Sequence, residues 1–306
     1  MVPILDPLHA TCKSASMNPD FTDLLRSERL SAAYGGVIQR LHVPLAARIV
    51  EAACAHGPGF RVGLCGPQGS GKTTSARVLE RLLAADGLRA VILSLDDLYL
   101  PLEARRRLAA EVHPLLLTRG VPGTHEVPLG LDLLDALARP GRTIMPRFDK
   151  ASDDRLPPDR WTPLEGPFDV ILFEGWCVGA RPQAPAALRR PVNDLERRRD
   201  PEGIWRTYAN TQLASPYQRL FAGFGLLAVF KVPSFNVVLG WRQEQEHKLP
   251  KPGMSDAEIA VFIQHYERLT RHIQAEMPKR ADVVVRLGRE REIGKVDWAN
   301  PHPTEF

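Results

Sequence analysis

Five short apolar runs punctuate a chain that otherwise alternates apolar and polar positions at helical spacing. They lie at 60–65, 89–95, 168–173, 225–232 and 281–287. Each is rich in Val, Ile, Leu or Phe and too short for a helix, the pattern of strands buried on both faces of a parallel sheet. Between them the apolar period is helical. Pro44 opens one such stretch, with Leu45, Ile49, Val50 and Ala53 on one face. Others span 72–85, 101–111, 129–137, 204–224 with a break at Pro216, and 235–248. Ser255-Asp-Ala-Glu258 reads as a capping box that starts a helix over 257–277. Strands alternating with helices predict an α/β fold, a parallel β-sheet flanked by helices on both faces. Residues 1–56 read as a helical N-terminal extension packed on it. The stretch 178–203 has no apolar period, so 178–224 is expected to form a mobile arm or lid. The tail after Arg289 reads as irregular.

The first run leads into Gly66-Pro67-Gln68-Gly69-Ser70-Gly71-Lys72-Thr73-Thr74, which contains the spacing G-x-x-x-x-G-K-[ST]. The residue types have physical reasons. Glycines let backbone N–H groups converge on phosphate oxygens, and the helix that follows points its positive end at the same place. Lys72 can reach the terminal phosphates of a nucleotide, and the Thr73 hydroxyl can ligate Mg²⁺. A strand before the loop and an amphipathic helix after it separate this motif from a chance match. The fold is therefore expected to be a P-loop NTPase fold that binds ATP with Mg²⁺.

Ligands of such sheets lie beyond the carboxyl ends of the strands. The second run ends in Asp96-Asp97-Leu98-Tyr99 and the third in Glu174-Gly175-Trp176. Asp96 and Asp97 are placed toward the terminal phosphate, although adjacent aspartates can also cap a turn. Glu174 is the candidate second acid for Mg²⁺ and water. Arg242 is a candidate phosphate clamp from a lid helix. Its competing reading is an i,i+4 pair with Glu246. The segment 143–155 is dense in charge of both signs, as a surface loop or a substrate pocket would be.

Composition narrows the partners. The 306 residues are 44% hydrophobic and 25% charged, ordinary for a globular chain, with a net charge of +4. The arginine triplets 105–107 and 197–199 lack interleaved aromatics, so no nucleic-acid footprint is read. No apolar run reaches the ~20 residues that span a bilayer, and 1–12 shows no secretory pattern. A cytoplasmic protein is expected, with Cys12, Cys54, Cys65 and Cys177 as reduced thiols. No N-K-x-D guanine reader follows a late strand, which argues against a GTPase. A small-molecule kinase remains, with Asp96 accepting the proton of an attacking hydroxyl.

The chain resembles the P-loop kinases grouped around plant-type D-glycerate 3-kinase, near uridine kinase, phosphoribulokinase and pantothenate kinase. The resemblance rests on residues 66–74, S-L-D-D-L-Y (94–99), R-G-V-P-G-T-H-E (119–126), P-R-F-D-K (146–150), F-E-G-W (173–176), G-W-R-Q-E-Q-E (240–246) and G-M-S-D-A-E (253–258). The matching motifs run from about residue 60 to 290, and the chain over 1–306 is expected to be a single P-loop kinase domain. The resemblance implies that Gly66 to Thr74 hold ATP, with Asp96 as base, Glu174 beside Mg²⁺, and Lys72 and Arg242 on the transferring phosphate. Arg119, His125, Arg147, Asp149 and Lys150 lie where it places a small anionic acceptor, and Asp97 and Tyr99 are further substrate-binding candidates. D-glycerate is the implied acceptor. Another small hydroxylated metabolite, or a non-catalytic ATP-binding regulator, remains an alternative.

Overall fold

A computed structural model describes residues 19–247 and 253–299. The chain-order strands are β1 (Phe60–Cys65), β2 (Ala90–Ser94), β3 (Gly141–Met145), β4 (Phe148–Asp149) and β5 (Asp154–Arg155). They continue as β6 (Thr162–Gly166), β7 (Val170–Gly175), β8 (Phe224–Lys231), β9 (Val283–Leu287) and β10 (Ile293–Trp298). Six of them form one sheet in the order β10-β9-β8-β1-β7-β2. The five strands expected from the apolar runs are parallel, and β10 pairs antiparallel with β9. β10 corrects the irregular tail. Its residues are half exposed, so the tail carried no apolar run to reveal it.

Every residue of β7 is buried, as is all of β1 but Arg61, because helices cover both faces. β2 alternates buried and half-buried positions, as an edge strand does. β7 lies between β1 and β2, and that insertion assembles the site. The register Leu64↔Glu174 and Ser94↔Glu174 sets the carboxyl ends of three strands in one row.

The helix Lys72–Ala85 buries Ser75, Ala76, Val78, Leu79, Leu82 and Leu83, a stripe at the 3.6-residue period. Two small hairpins, β3 with β6 and β4 with β5, fill the span between β2 and β7. Inside the stretch expected to lack a period, Asp194–Arg199 is a short helix capped by the Asn193 side chain. The helix expected over 257–277 is two, Asp256–Phe262 and Gln264–Glu276, and the Ser255–Glu258 capping box opens the first. The linker read at 250–253 and the N-terminal residues 1–18 lie largely or wholly outside the described residues. No described helix is long and apolar enough to cross a membrane. Cys65 and Cys177 are buried free thiols. Cys54 is disulfide-bonded on the exposed face of its helix, so the reduced reading holds for the two core cysteines.

One buried ion pair ties the segment after β7 to the helix Gln264–Glu276. The Arg268 guanidinium forks onto both Glu196 oxygens at 2.7 Å and also donates to the Ala187 carbonyl. Removing one partner strands the other charge in the interior. Arg268→Leu is therefore expected to destabilise the fold by about 3–5 kcal/mol. Urea unfolding checks this, and a loss under about 1 kcal/mol would show that water reaches Glu196.

Candidate active site

The phosphate loop begins where β1 ends. Gly66 N–H donates to the Gly175 carbonyl. A Cβ on Gly66 would meet Ser70 Oγ at 2.5 Å and Phe230 Cβ at 2.9 Å, so the loop is closed around a position that only glycine fits. Gly71, at φ +83°, is the N-cap of the helix Lys72–Ala85, and no side chain caps that helix. Its first N–H groups are thus left for an anion. Ser70 Oγ and Gln68 Oε1 are buried without a partner, as groups awaiting a ligand would be.

Glu174 Oε1 accepts from Thr73 Oγ1 at 2.9 Å and from Ser94 Oγ at 3.1 Å. Lys72 Nζ stands 4.0 Å from the other Glu174 oxygen. Hydroxyl and carboxylate oxygens beside a phosphate site are the hard donors that suit Mg²⁺. Ser94 was missed in the sequence. Its signal was the last position of an apolar strand, where a serine has no packing reason to be.

Asp96 and Asp97 sit on the single 3-10 turn Leu95–Leu98 directly after β2. Lys150 Nζ is 2.7 Å from Asp96 Oδ2. Burial pushes the Asp96 carboxyl up, yet the Lys150 and Lys72 ammonium groups outweigh it and hold it well below the usual carboxylate range. Asp96 in turn raises Lys150. Asp97 accepts from Arg147 at 2.8 Å and from the Phe148 N–H at 3.1 Å. Burial dominates there and raises it. The hairpin residues 147–150 are thereby clamped onto the turn that carries both aspartates.

A cavity of about 690 Å³ joins these groups. Its polar wall includes Gln68, Lys72, Thr73, Asp96, Arg147 and Glu174. It continues along the free edge of β2 to Val91, Ile92, Met145 and Leu164, and is flanked by Leu24. Tyr99, Arg119, His125, Asp149 and Arg242 do not line the cavity, although Tyr99 and His125 lie directly behind the turn that carries Asp96. Arg119 pairs with Asp153 and stacks over Phe148. Tyr99 is buried against His125 and Phe148, its hydroxyl within reach of Tyr266. Asp149 accepts from Ala151 N–H, Ser152 N–H and Ser152 Oγ, so its carboxylate serves its own turn. Thr74 Oγ1 donates to Glu28 from the N-terminal helices at 2.8 Å. Arg242 pairs with Glu246 at 2.6 Å, and Glu246 also accepts from Gly253 and Met254 N–H. The helical i,i+4 pair is the arrangement seen, and Gln245, three residues on, faces the cavity instead.

A glycine loop on an uncapped helix, with acids at the ends of the two strands that follow β1 in space, defines a P-loop kinase. No family model matches the chain. It is 33% identical over 221 residues to an uncharacterized kinase, mug58, of Schizosaccharomyces pombe, covering 68% of this chain and 78% of that one. It is 30% identical over 222 residues to the chloroplastic D-glycerate 3-kinase of Arabidopsis thaliana, covering 68% of this chain but 46% of that longer protein. The solved D-glycerate 3-kinase of Cryptococcus neoformans superposes with a TM-score of 0.71 at 25% identity, over 85% of this chain and 99% of that one. The chain belongs to the D-glycerate 3-kinase family of P-loop kinases. It is an ATP-using phosphotransferase with a hydroxyl acceptor.

Proposed function

We propose that the chain transfers the γ-phosphoryl group of ATP to the 3-hydroxyl of D-glycerate, giving ADP and 3-phosphoglycerate. The observation that carries this reading is the Asp96 carboxylate, paired with Lys150 at 2.7 Å and kept ionised by the Lys150 and Lys72 charges, in the same cavity as the phosphate loop. The two relatives named above as D-glycerate 3-kinases support the acceptor.

The acceptor oxygen attacks the γ-phosphorus, its proton passes to Asp96 Oδ2, and the bond to the ADP oxygen breaks. A base held below the usual carboxylate range is weak but always ionised. That is sufficient here, because phosphoryl transfer passes through a loose transition state in which orienting the hydroxyl counts for more than pulling its proton. Lys150 is the group that must share or yield Asp96 when the hydroxyl arrives. Arg147 and Lys150 face the cavity with positive charge for the acceptor carboxylate. Thr73 and Glu174 would hold Mg²⁺, which when bound neutralises charge on the β- and γ-phosphates. Glu174→Gln is expected to raise the Mg²⁺ concentration for half-maximal activity by about tenfold to a hundredfold. An unchanged Mg²⁺ requirement would remove Glu174 from that role.

The deciding experiment is ADP release with Mg-ATP, with and without D-glycerate, with the product read by phosphorus NMR. Strong stimulation giving 3-phosphoglycerate is the expected result. Stimulation giving 2-phosphoglycerate would keep the reaction class and change the pose. No stimulation would overturn the acceptor. A longer hydroxylated acid is the second reading, favoured by the apolar arm of the cavity at Ile92, Met145 and Leu164, which a three-carbon acid does not need.

A further inference from the structure

Arg119 pairs with Asp153, Arg147 with Asp97, and Lys150 with Asp96. Each of these cations near Asp96 has a carboxylate partner in the structure, so none is a neutral, unpaired donor. One donor in the same neighbourhood is unspent. His125 is 4% exposed, its ring stacks on Tyr99 at 4.4 Å, and its Nε2 is buried with no partner. Asp96 is the charged group whose field acts on it.

The other nitrogen is engaged from behind. The helix Pro216–Leu220 carries Tyr217, whose ring is fully buried against the loop 119–126. The Tyr217 hydroxyl oxygen accepts the Gly123 N–H at 3.0 Å and stands 2.6 Å from His125 Nδ1. An oxygen that already accepts a backbone N–H has its own proton left to give, and Nδ1 is the acceptor in reach. A neutral imidazole that accepts at Nδ1 carries its proton on Nε2. Burial keeps the ring neutral, lowering it to about 3. The loop is shaped for this contact. Gly123 sits at φ +99° and a Cβ there would meet the Tyr208 ring at 2.6 Å. Thr124 Oγ1 ties the loop by accepting from Gly120 N–H and donating to the Val121 carbonyl.

We propose that Tyr217 is a positioning residue that fixes His125 as its Nε2–H tautomer, and that this N–H donates to a hydroxyl or carboxylate oxygen of the acceptor beside Asp96. The proposal rests on the acceptor site given above and adds to it a neutral donor. Such a donor recognises oxygen without adding charge to a cluster whose cations are balanced. A buried N–H without an acceptor is costly, so the bound acceptor gains from satisfying it.

Nitrogen NMR of the full chain with ¹⁵N-labelled histidine tests this, with the His125 signals assigned by their loss in His125→Gln. The ligand-free protein is expected to show the Nε2–H tautomer, and Tyr217→Phe a mixture of tautomers. Adding D-glycerate with a non-hydrolysable ATP analogue is expected to move the Nε2 resonance. In kinetics, Tyr217→Phe is expected to raise the KM for D-glycerate about tenfold, one hydrogen bond's worth, with the KM for ATP within about twofold. An Nδ1–H tautomer in the ligand-free wild type would overturn the proposal, whether or not the variant folds. So would a Tyr217→Phe protein with unchanged tautomer and unchanged KM. The tautomer is read without acceptor, so a failure of D-glycerate to stimulate ADP release sinks the proposed acceptor and leaves this measurement decisive by itself.

Discussion

Asp96→Asn is expected to lower kcat by about 10²–10⁴-fold, the range for loss of a positioned general base, while the Kd for ATP stays within a few-fold. The substitution keeps size and shape, so the turn Leu95–Leu98 that follows β2 is retained. It removes the carboxylate charge that accepts the acceptor proton, and the remaining amide oxygen is too weak a base to replace it. Lys150 loses its partner at 2.7 Å and becomes free to hold the acceptor carboxylate. The KM for the acceptor should therefore stay level or fall as kcat collapses. That split distinguishes a lost base from a damaged pocket, which would raise KM. Steady-state kinetics with calorimetry for ATP make the check. Near-normal turnover would remove Asp96 from the reaction.

The second large effect is on stability in mild acid. His42, His125 and His265 are all buried, and burial lowers them to about 3, about 3 and about 4. In the unfolded chain each has the ordinary value near 6.5. Between those limits the unfolded state binds protons that the folded state refuses, so stability is complete above about pH 6.5 and falls as pH drops. At pH 5 the loss is about 2 kcal/mol per histidine, or about 6 kcal/mol for three. That is comparable with the ~5–15 kcal/mol that holds a typical domain together. Asp97 and Glu80, which burial raises, act in the opposite sense. The urea midpoint should drop steeply between pH 7.5 and 5. A flat profile would show that the three rings reach solvent protons in the folded chain. His42→Gln should flatten the slope by about a third, since the His42 Nε2 pairs with Ser75 Oγ at 3.0 Å and His42 is not part of the cavity wall.

Much of the site was legible because its chemistry is local. The phosphate loop needs glycines at set positions, a lysine and a hydroxyl within one short segment, and the strand before it is apolar on both faces. Asp96 and Glu174 were legible because a carboxylate that ends a buried strand has few reasons to be there. The acceptor side was less so. Arg119, Asp149 and Arg242 are charged residues in plausible places, yet each is taken up by a near neighbour, Asp153, the 149–152 turn and Glu246 respectively. Composition cannot say which ion pairs close on themselves and which face a cavity, since that depends on directions set by packing. β10 and the strands β5 and β6 escaped for a related reason: half-exposed strands carry little apolar signal, although 143–148 already reads as extended.

The amino-acid sequence by itself determined the strand–loop–helix that binds phosphate, the parallel α/β architecture and the acids at the strand ends, because each is written in residues close together in the chain. Only the tertiary structure decided the order of strands that lets β7 enter between β1 and β2 and bring Glu174 to Thr73 and Ser94. It also decided that Lys150 lies on Asp96 and that Tyr217 reaches His125 across 92 residues. Those contacts join segments distant in sequence, and their geometry follows from how the helices and sheet pack rather than from any local pattern.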